Sequence, residues 1–303
     1  MTNFRTQRGL ARSAGIKHAQ LVAILNKIEG NYRLFRIPKR SGGLRSISIP
    51  RPALKALQAT ILRRLESFPV SDQAHAFCAG RSIKSHAALH LRSTDFVKVD
   101  LKDFFPSIRA DAVFETFLSL GFEPGLAQAM TRLTTFMGGL PQGAPSSPII
   151  SNLVMRKFDA SLAAFADTHG LIYSRYADDI VVSGKSIDVR MSNLALDIIQ
   201  KLGFEINFAK TRLMRSPSKI ILTGISISEG QTKIPKEYKR SLRQQAYNLL
   251  RKGNPVSLDG GRRVDPFLLD RVLGRLSFWS FVEPQASFPK RYMAMLSSKY
   301  LSR

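Results

Sequence analysis

The sequence predicts an α+β fold, a mixed core followed by a basic, mostly helical C-terminal region. Three observations carry this. Short apolar strand patterns alternate with amphipathic helical patterns through the first two thirds of the chain. Two of those strands end in aspartates. From Thr232 onward the chain loses the strand pattern and becomes helical and basic. With 303 residues and 44% hydrophobic composition, the chain can bury a substantial core, in one large domain or two to three subdomains.

Taken in order, the N-terminal segment up to Gln20 is Arg-rich and free of acids. It superficially resembles a transit peptide but lacks a signal-peptide apolar core, and reads as a basic arm running into a helix around Leu21–Ile28. Residues 30–50 read as two short strands around a Lys-Arg-Ser-Gly-Gly turn, with Leu44, Ile47 and Ile49 as apolar partners. Residues 52–66 predict a helix, with Pro52 near its start and Leu54, Leu57, Ile61 and Leu65 on one face. FVKVDLKDFF, from Phe96, alternates into a buried strand ending in acids, and ADAVFETFLSLG predicts a short helix stopped by Gly121. Residues 146–170 predict one helix with Ser147 as N-cap, Pro148 at N1 and Gly170 as the C′ stop. LIYSRYADDIVVSG, residues 171–184, predicts a hairpin with Asp178 and Asp179 at or beside its turn. Residues 187–202 give a further helix, stopped by Gly203.

Charge is unevenly placed. Lys and Arg number 46 against 22 Asp and Glu, a formal net charge of +24. Residues 1–60 carry twelve basic residues and one acid, and residues 232–303 carry fifteen basic residues and five acids. Two basic ends around a nearly neutral middle suggest a polyanion gripped from two sides, with nucleic acid favoured over an anionic membrane. Cys78 is the only cysteine, which excludes an intrachain disulfide and points to a reducing, cytoplasmic compartment. The five histidines and Cys78 show no zinc-site spacing. No apolar run approaches the length of a transmembrane helix.

Adjacent carboxylates repel and resist losing water, so Asp178 and Asp179 between apolar strands ask for a compensating cation. A solvated Asp-Asp turn is the plainer alternative. Asp100 lies far upstream of Asp178, at the end of another strand. If the two strands are neighbours, three carboxylates can converge without His or Cys, a hard oxygen-only set that suits Mg²⁺. Asp103 reads as a local turn or cap acceptor instead.

Several segments then carry a resemblance. Asp100 in VDLKDFFPSI, LPQGAPSSP at 140–148, YADD at 176–179, LGFEINFAKT at 202–211 and LTG at 222–224 follow the order of motifs in reverse transcriptases. GLRSISIP at 43–50 and AFCAGRSI at 76–83 are similar to fingers motifs of the same family. The chain resembles the bacterial retron type. That resemblance implies a right-hand polymerase with an antiparallel-sheet palm. Residues 1–95 would form the basic arm and fingers, 96–231 the palm (with finger elements around 107–140), and 232–303 a helical thumb.

By the same resemblance, Asp100, Asp178 and Asp179 are the catalytic metal ligands, with the Leu101 carbonyl as a further oxygen. Two Mg²⁺ ions are implied, with Mn²⁺ able to substitute. Phe105 matches the bulky side chain that excludes a ribonucleotide 2′-hydroxyl, although in isolation core packing is the better reading. Gln142 matches a nucleotide-pocket residue, with Gly143 allowing close backbone approach. Lys39 and Arg45 match cations that reach the incoming dNTP, and Lys210 a palm lysine near the departing pyrophosphate. A solvated hairpin and a surface lysine are the plain alternatives for these three.

HAALH at 86–90 stands where retron enzymes commonly carry Asn-Ala-x-x-His. His86 and His90 at i, i+4 could mimic a metal pair, but no third ligand is evident. The implied activity is reverse transcription of a cognate structured non-coding RNA, primed from an internal 2′-hydroxyl, to give a branched RNA–DNA hybrid (msDNA). An anti-phage role with an effector protein goes with it, and host RNase H would remove the template. The alternatives are a group II intron-like enzyme or an RNA-binding scaffold that holds an effector. RNA binding is expected from Lys236, Arg240, Arg243, Arg262 and Arg263, the first three at helical i, i+4, i+7 spacing. Phe278, Trp279 and Tyr292 are candidates for base stacking.

Overall fold

Period-2 and period-3.6 patterns in the sequence become short strands and helices, and the computed structural model describes residues 4–38, 42–252 and 265–301. In chain order these begin with α1 (Gln7–Ser13), α2 (His18–Asn26), β1 (Tyr32–Pro38), β2 (Leu44–Pro50), α3 (Pro52–Leu65) and α4 (Ile83–Leu89). Next come β3 (Asp95–Asp100), α5 (Phe104–Ser107), α6 (Ala110–Ser119), α7 (Pro124–Thr134), α8 (Ser147–Val154) and α9 (Arg156–Thr168). The hairpin strands β4 (Ile172–Tyr176) and β5 (Asp179–Gly184) lead to α10 (Val189–Lys201) and β6 (Arg212–Arg215). Three short strands, β7 (Ile220–Leu222), β8 (Ile225–Ser228) and β9 (Gln231–Lys233), precede α11 (Lys236–Lys252), α12 (Leu268–Val282) and α13 (Ser287–Leu301).

Two compact units result, Met1–Ser82 with Asp95–Met214, and Ile83–Thr94 with Arg215–Arg303. In the first unit a four-stranded sheet has the order β4-β5-β3-β6, with β3 and β4 both antiparallel to β5. The β1–β2 hairpin is a separate antiparallel pair. The apolar face expected of α3 is realised: Leu54, Leu57, Ile61 and Leu65 are all fully buried. They join one core with Val97, Val99, Ile180 and Val182 from the sheet, which fixes the strand register because a one-residue slip would turn these side chains outward.

The helix expected over residues 146–170 is two helices, broken at Met155 with φ −71° and ψ −2°. Its sequence carries the reason. Ile149, Ile150 and Leu153 are buried in α8, and Phe158, Leu162 and Phe165 in α9. On one straight helix these two stripes would point roughly 140° apart at about 100° per residue, so only a break lets both face the core. The N-cap also differs. Ser146 occupies it without a side-chain cap bond, while the Ser147 hydroxyl donates to the Pro141 carbonyl at 2.8 Å. Gly170 follows the C-cap at φ +63°, as a C′ stop requires.

In the second unit β7, β8 and β9 form an antiparallel sheet, with α4 packed on it and α11, α12 and α13 packed on one another. Residues 83–94 thus fold with the C-terminal elements, across the divisions at 95/96 and 231/232 drawn from sequence. No helix among the described residues is long and apolar enough to cross a membrane.

Candidate active site

The β4–β5 hairpin builds the site. Tyr176 pairs with Asp179 and closes the hairpin, leaving Ala177 and Asp178 as a two-residue turn. Ala177 takes φ +56°, the positive φ that two-residue hairpin turns need to match strand twist. On its other side β5 pairs with β3 so that Asp179 lies directly opposite Asp100. The Leu101 N–H continues the ladder by donating to the Asp178 carbonyl at 3.0 Å. Register alone therefore brings two adjacent acids against a third that is remote from them along the chain.

Two lysines attend them. Lys98 lies two residues before Asp100 on the same face of β3, and its Nζ is 3.0 Å from Asp179 Oδ1. Lys210 Nζ donates to Asp100 Oδ1 at 2.9 Å and reaches Oδ2 at 3.3 Å. Asn207 clamps the same acid, its amide donating to Asp100 Oδ2 at 3.2 Å and its backbone N–H to the Asp100 carbonyl at 2.9 Å. Burial pushes the Asp178 carboxyl above its ordinary value, and the Asp179 and Asp100 charges push it the same way. The hydrogen bond to Asp100, aided by the charges of all three acids, raises Lys210. Lys98 and Asn207 were not foreseen. Alternation from Asp100 would have placed Lys98 on its face, but nothing local marks Asn207.

The donor set fits a hard divalent cation: three carboxylates, no nitrogen or sulfur, and an excess of negative charge that two ammonium groups offset. Among the described residues no three His, Cys, Asp or Glu side chains are drawn together as a metal-holding group.

Behind the turn lies a buried network. Arg175 in β4 donates from Nε to Asp159 Oδ1 at 2.9 Å and from Nη2 to Oδ2 at 2.8 Å, and both side chains have 0% exposure. Tyr173 donates to Asp159 Oδ1 at 2.6 Å. Arg175 Nη1 reaches Asn152 Oδ1 at 3.2 Å and the Ala177 carbonyl at 3.3 Å, so the pair also braces the turn. Burial opposes the Arg175 charge, yet the bonds and charge of Asp159 hold its pKa above the ordinary value.

Asp103 sits in a turn at the N-cap of α5 with φ +44°, its carbonyl accepting from the Ser107 N–H at 2.9 Å while its side chain makes no cap bond. Phe104 is buried in the core, whereas Phe105 is only half-buried and its ring lies 6.1 Å from that of Phe77. Phe77 is exposed at φ +60°, a conformation a bulky side chain rarely adopts. Gln142 is half-buried and its carbonyl accepts from the Ser48 N–H at 2.8 Å, which ties this loop to β2. Gly143 has φ +121°, and a Cβ there would meet Ile47 Cγ2 and the Ser48 carbonyl oxygen at 3.0 Å. The close approach Gly143 permits is thus to the chain's own β2. Arg45 is exposed on β2 opposite Ile37, and Lys39 lies outside the described residues.

In the second unit Lys236, Arg240 and Arg243 are exposed on α11, while Arg262 and Arg263 lie outside the described residues. Trp279 is buried, so it is not available for base stacking. Its ring stacks on Phe288 at 5.3 Å, Phe288 stacks on Tyr292 at 4.1 Å, and Arg243 lies over both Trp279 and Phe288. Tyr238 meets the half-buried Phe278 edge-on at 6.1 Å. Tyr247, exposed on α11 beside Arg251, is an aromatic that the sequence reading passed over. His86 in α4 and His90 in the turn just after it are both buried, with His86 Nδ1 3.4 Å from the Thr223 hydroxyl.

The fold has a solved counterpart. Telomerase from Candida albicans, in complex with a fragment of telomeric RNA, aligns over 94% of this chain and 65% of its own with a TM-score of 0.51. At 11% identity that likeness is one of fold, the right-hand polymerase fold with an antiparallel-sheet palm. The sequence family described as Reverse transcriptase (RNA-dependent DNA polymerase) matches residues 37–233, and the chain belongs to it. Among the similar curated proteins are retron enzymes. Retron Ec86 reverse transcriptase from Escherichia coli is 32% identical over 79% of this chain and 77% of its own length. Retron Mx65 reverse transcriptase from Myxococcus xanthus is 36% identical over 74% of this chain, a stretch that spans 58% of the relative.

Proposed function

We propose that this chain is an RNA-directed DNA polymerase that reverse-transcribes a cognate structured non-coding RNA. Asp100 facing Asp179 across β3 and β5, with Asp178 in the adjoining turn, is the observation that carries this reading. Those three carboxylates and the Leu101 carbonyl would hold two Mg²⁺ ions, or Mn²⁺ in their place, which when bound polarise the attacking and leaving oxygens of an in-line phosphoryl transfer.

The chain's own groups do the remaining work. Lys210, whose ammonium already sits against Asp100, is the cation at hand for a departing pyrophosphate. Phe105, half-exposed just after β3, is placed in this reading to exclude a 2′-hydroxyl and so favour dNTPs. Arg45 and Lys39 would bind triphosphate oxygens and Gln142 would line the nucleotide pocket. The exposed cations of α11, with Arg262 and Arg263, would hold RNA phosphates, and base contacts would do the choosing.

Similarity to retron enzymes supports the finer reading: priming from an internal 2′-hydroxyl, a branched RNA–DNA product, template removal by a host RNase H, and anti-phage defence in the cytoplasm with an effector protein. Primer extension on an RNA template, with purified wild type and Asp178→Asn, tests the core of the proposal. Incorporation of dNTPs by the wild type alone is expected. Equal extension by the variant would remove the three acids from the chemistry.

A further inference from the structure

Lys98 is the residue that the function just proposed leaves without a task. It holds a position of consequence. Strand alternation puts it on the Asp100 face, and antiparallel register puts Asp179 opposite Asp100, so Lys98 reaches Asp179 across the diagonal at 3.0 Å. Both side chains are about a quarter exposed, 23% for Lys98 and 26% for Asp179. Lys210 pairs with the other strand-end acid, Asp100, which Asn207 also holds.

The flanks of the trio differ in what they could do next. Lys210 is on the turn just before β6, clamped through Asn207 and shared over both oxygens of Asp100. Lys98 issues from the middle of β3 and, among the described residues, has no side-chain amide beside it like that of Asn207 at Asp100; its Nζ lies 3.0 Å from Asp179 Oδ1. A lysine ammonium at a partly wet site is a point charge on a flexible stem, without the planar two-bond fit of a guanidinium, and exchanges readily for another cation. The planar, bidentate Arg175–Asp159 pair one strand away is built the opposite way.

We infer that Lys98 is a resident counter-cation of the carboxylate trio, which neutralises Asp179 in the metal-free protein and competes with a divalent ion for it. This rests on the reading of Asp100, Asp178 and Asp179 as metal ligands. Its consequence is a positioning role: Lys98 keeps the Asp179 carboxylate drawn toward β3 and sets how much metal is needed to displace it. Removing the ammonium therefore favours metal binding, and keeping a cation of similar reach preserves the competition.

The test is Mn²⁺ binding by the full-length protein without nucleic acid, read from the loss of the free-ion electron paramagnetic resonance signal. Lys98→Met is expected to bind Mn²⁺ roughly three- to fivefold more tightly than wild type, and Lys98→Arg to bind as wild type does. Asp179→Asn should weaken binding in either background. As a second readout, the Mg²⁺ concentration giving half-maximal primer extension should fall in Lys98→Met by a similar factor. Wild-type or weaker Mn²⁺ affinity in a folded Lys98→Met, with Asp179→Asn still impairing it, would overturn the role of Lys98 and leave the metal site standing. Mn²⁺ binding that is indifferent to Asp178→Asn and Asp179→Asn would overturn both.

Discussion

Two aspartate sites share the β4–β5 hairpin and its neighbours, and they hold negative charge in opposite ways. Asp159 is sealed from water, and both its oxygens are engaged, Oδ1 by Tyr173 and Arg175 and Oδ2 by Arg175. Its partner is a planar guanidinium that is always charged and fits a carboxylate in one geometry. At the turn, three acids share two lysines, each a compact charge on a flexible stem, and the pairs are partly wet. The lesson concerns exchangeability. A bidentate, buried pair cannot trade its cation without unfolding, so it serves architecture; a loosely held one can trade a lysine for another cation, so it can serve chemistry. The two are coupled through Arg175 Nη1, which supports the Ala177 carbonyl in the very turn that carries Asp178.

Four experiments would break or sharpen that contrast. The largest effect is expected from Arg175→Met, which leaves Asp159 buried without a cation. It should destabilise the fold by about 3–5 kcal/mol in urea unfolding, and a loss below about 1 kcal/mol would show that the pair is not architectural. Asp178→Asn should do the reverse. Extension should fall at least about 100-fold, while the unfolding midpoint holds or rises, since like-charge repulsion is relieved. A midpoint that dropped as far as in Arg175→Met would erase the distinction between the two sites.

The neighbouring aromatics extend the same logic to apolar groups. Phe105→Val should shift relative kcat/KM toward rNTPs by about 10-fold, whereas the same change at the buried Phe104 should lower stability and leave that ratio alone. An unchanged ratio in Phe105→Val would assign Phe105 to packing. The smallest effects belong to the exposed cations of α11. Lys236→Gln and Arg240→Gln should each flatten the salt dependence of RNA binding by about one unit of slope, with the metal requirement unchanged. Wild-type slope in both would move the phosphate contacts elsewhere, to the basic N-terminal segment in the first instance.

What local pattern encodes was legible without coordinates. Four leucine and isoleucine positions at helical spacing specified the buried face of α3, and alternation around Val97 and Val99 specified β3. The adjacency of Asp178 and Asp179 between two apolar runs pointed to a hairpin turn carrying charge. These are properties of periods 2 and 3.6, which depend on no residue far away. Even the break at Met155 had a local trace, in apolar stripes that a single straight helix could not turn to one side.

The rest depended on partners that sequence distance hides. Strand register chose Lys98 as the companion of Asp179, and a turn far downstream supplied Asn207 and Lys210 to Asp100. Packing chose Arg175 for Asp159, buried Trp279 that had the composition of a stacking residue, and placed residues 83–94 with the C-terminal elements. A charge or a ring carries no label for its partner; burial and register assign one. The sequence by itself thus determined which residues are acids at strand ends and that they want a cation. Only the tertiary structure decided which cations they meet, because an ion pair is fixed by a distance of a few ångströms that no spacing along the chain contains.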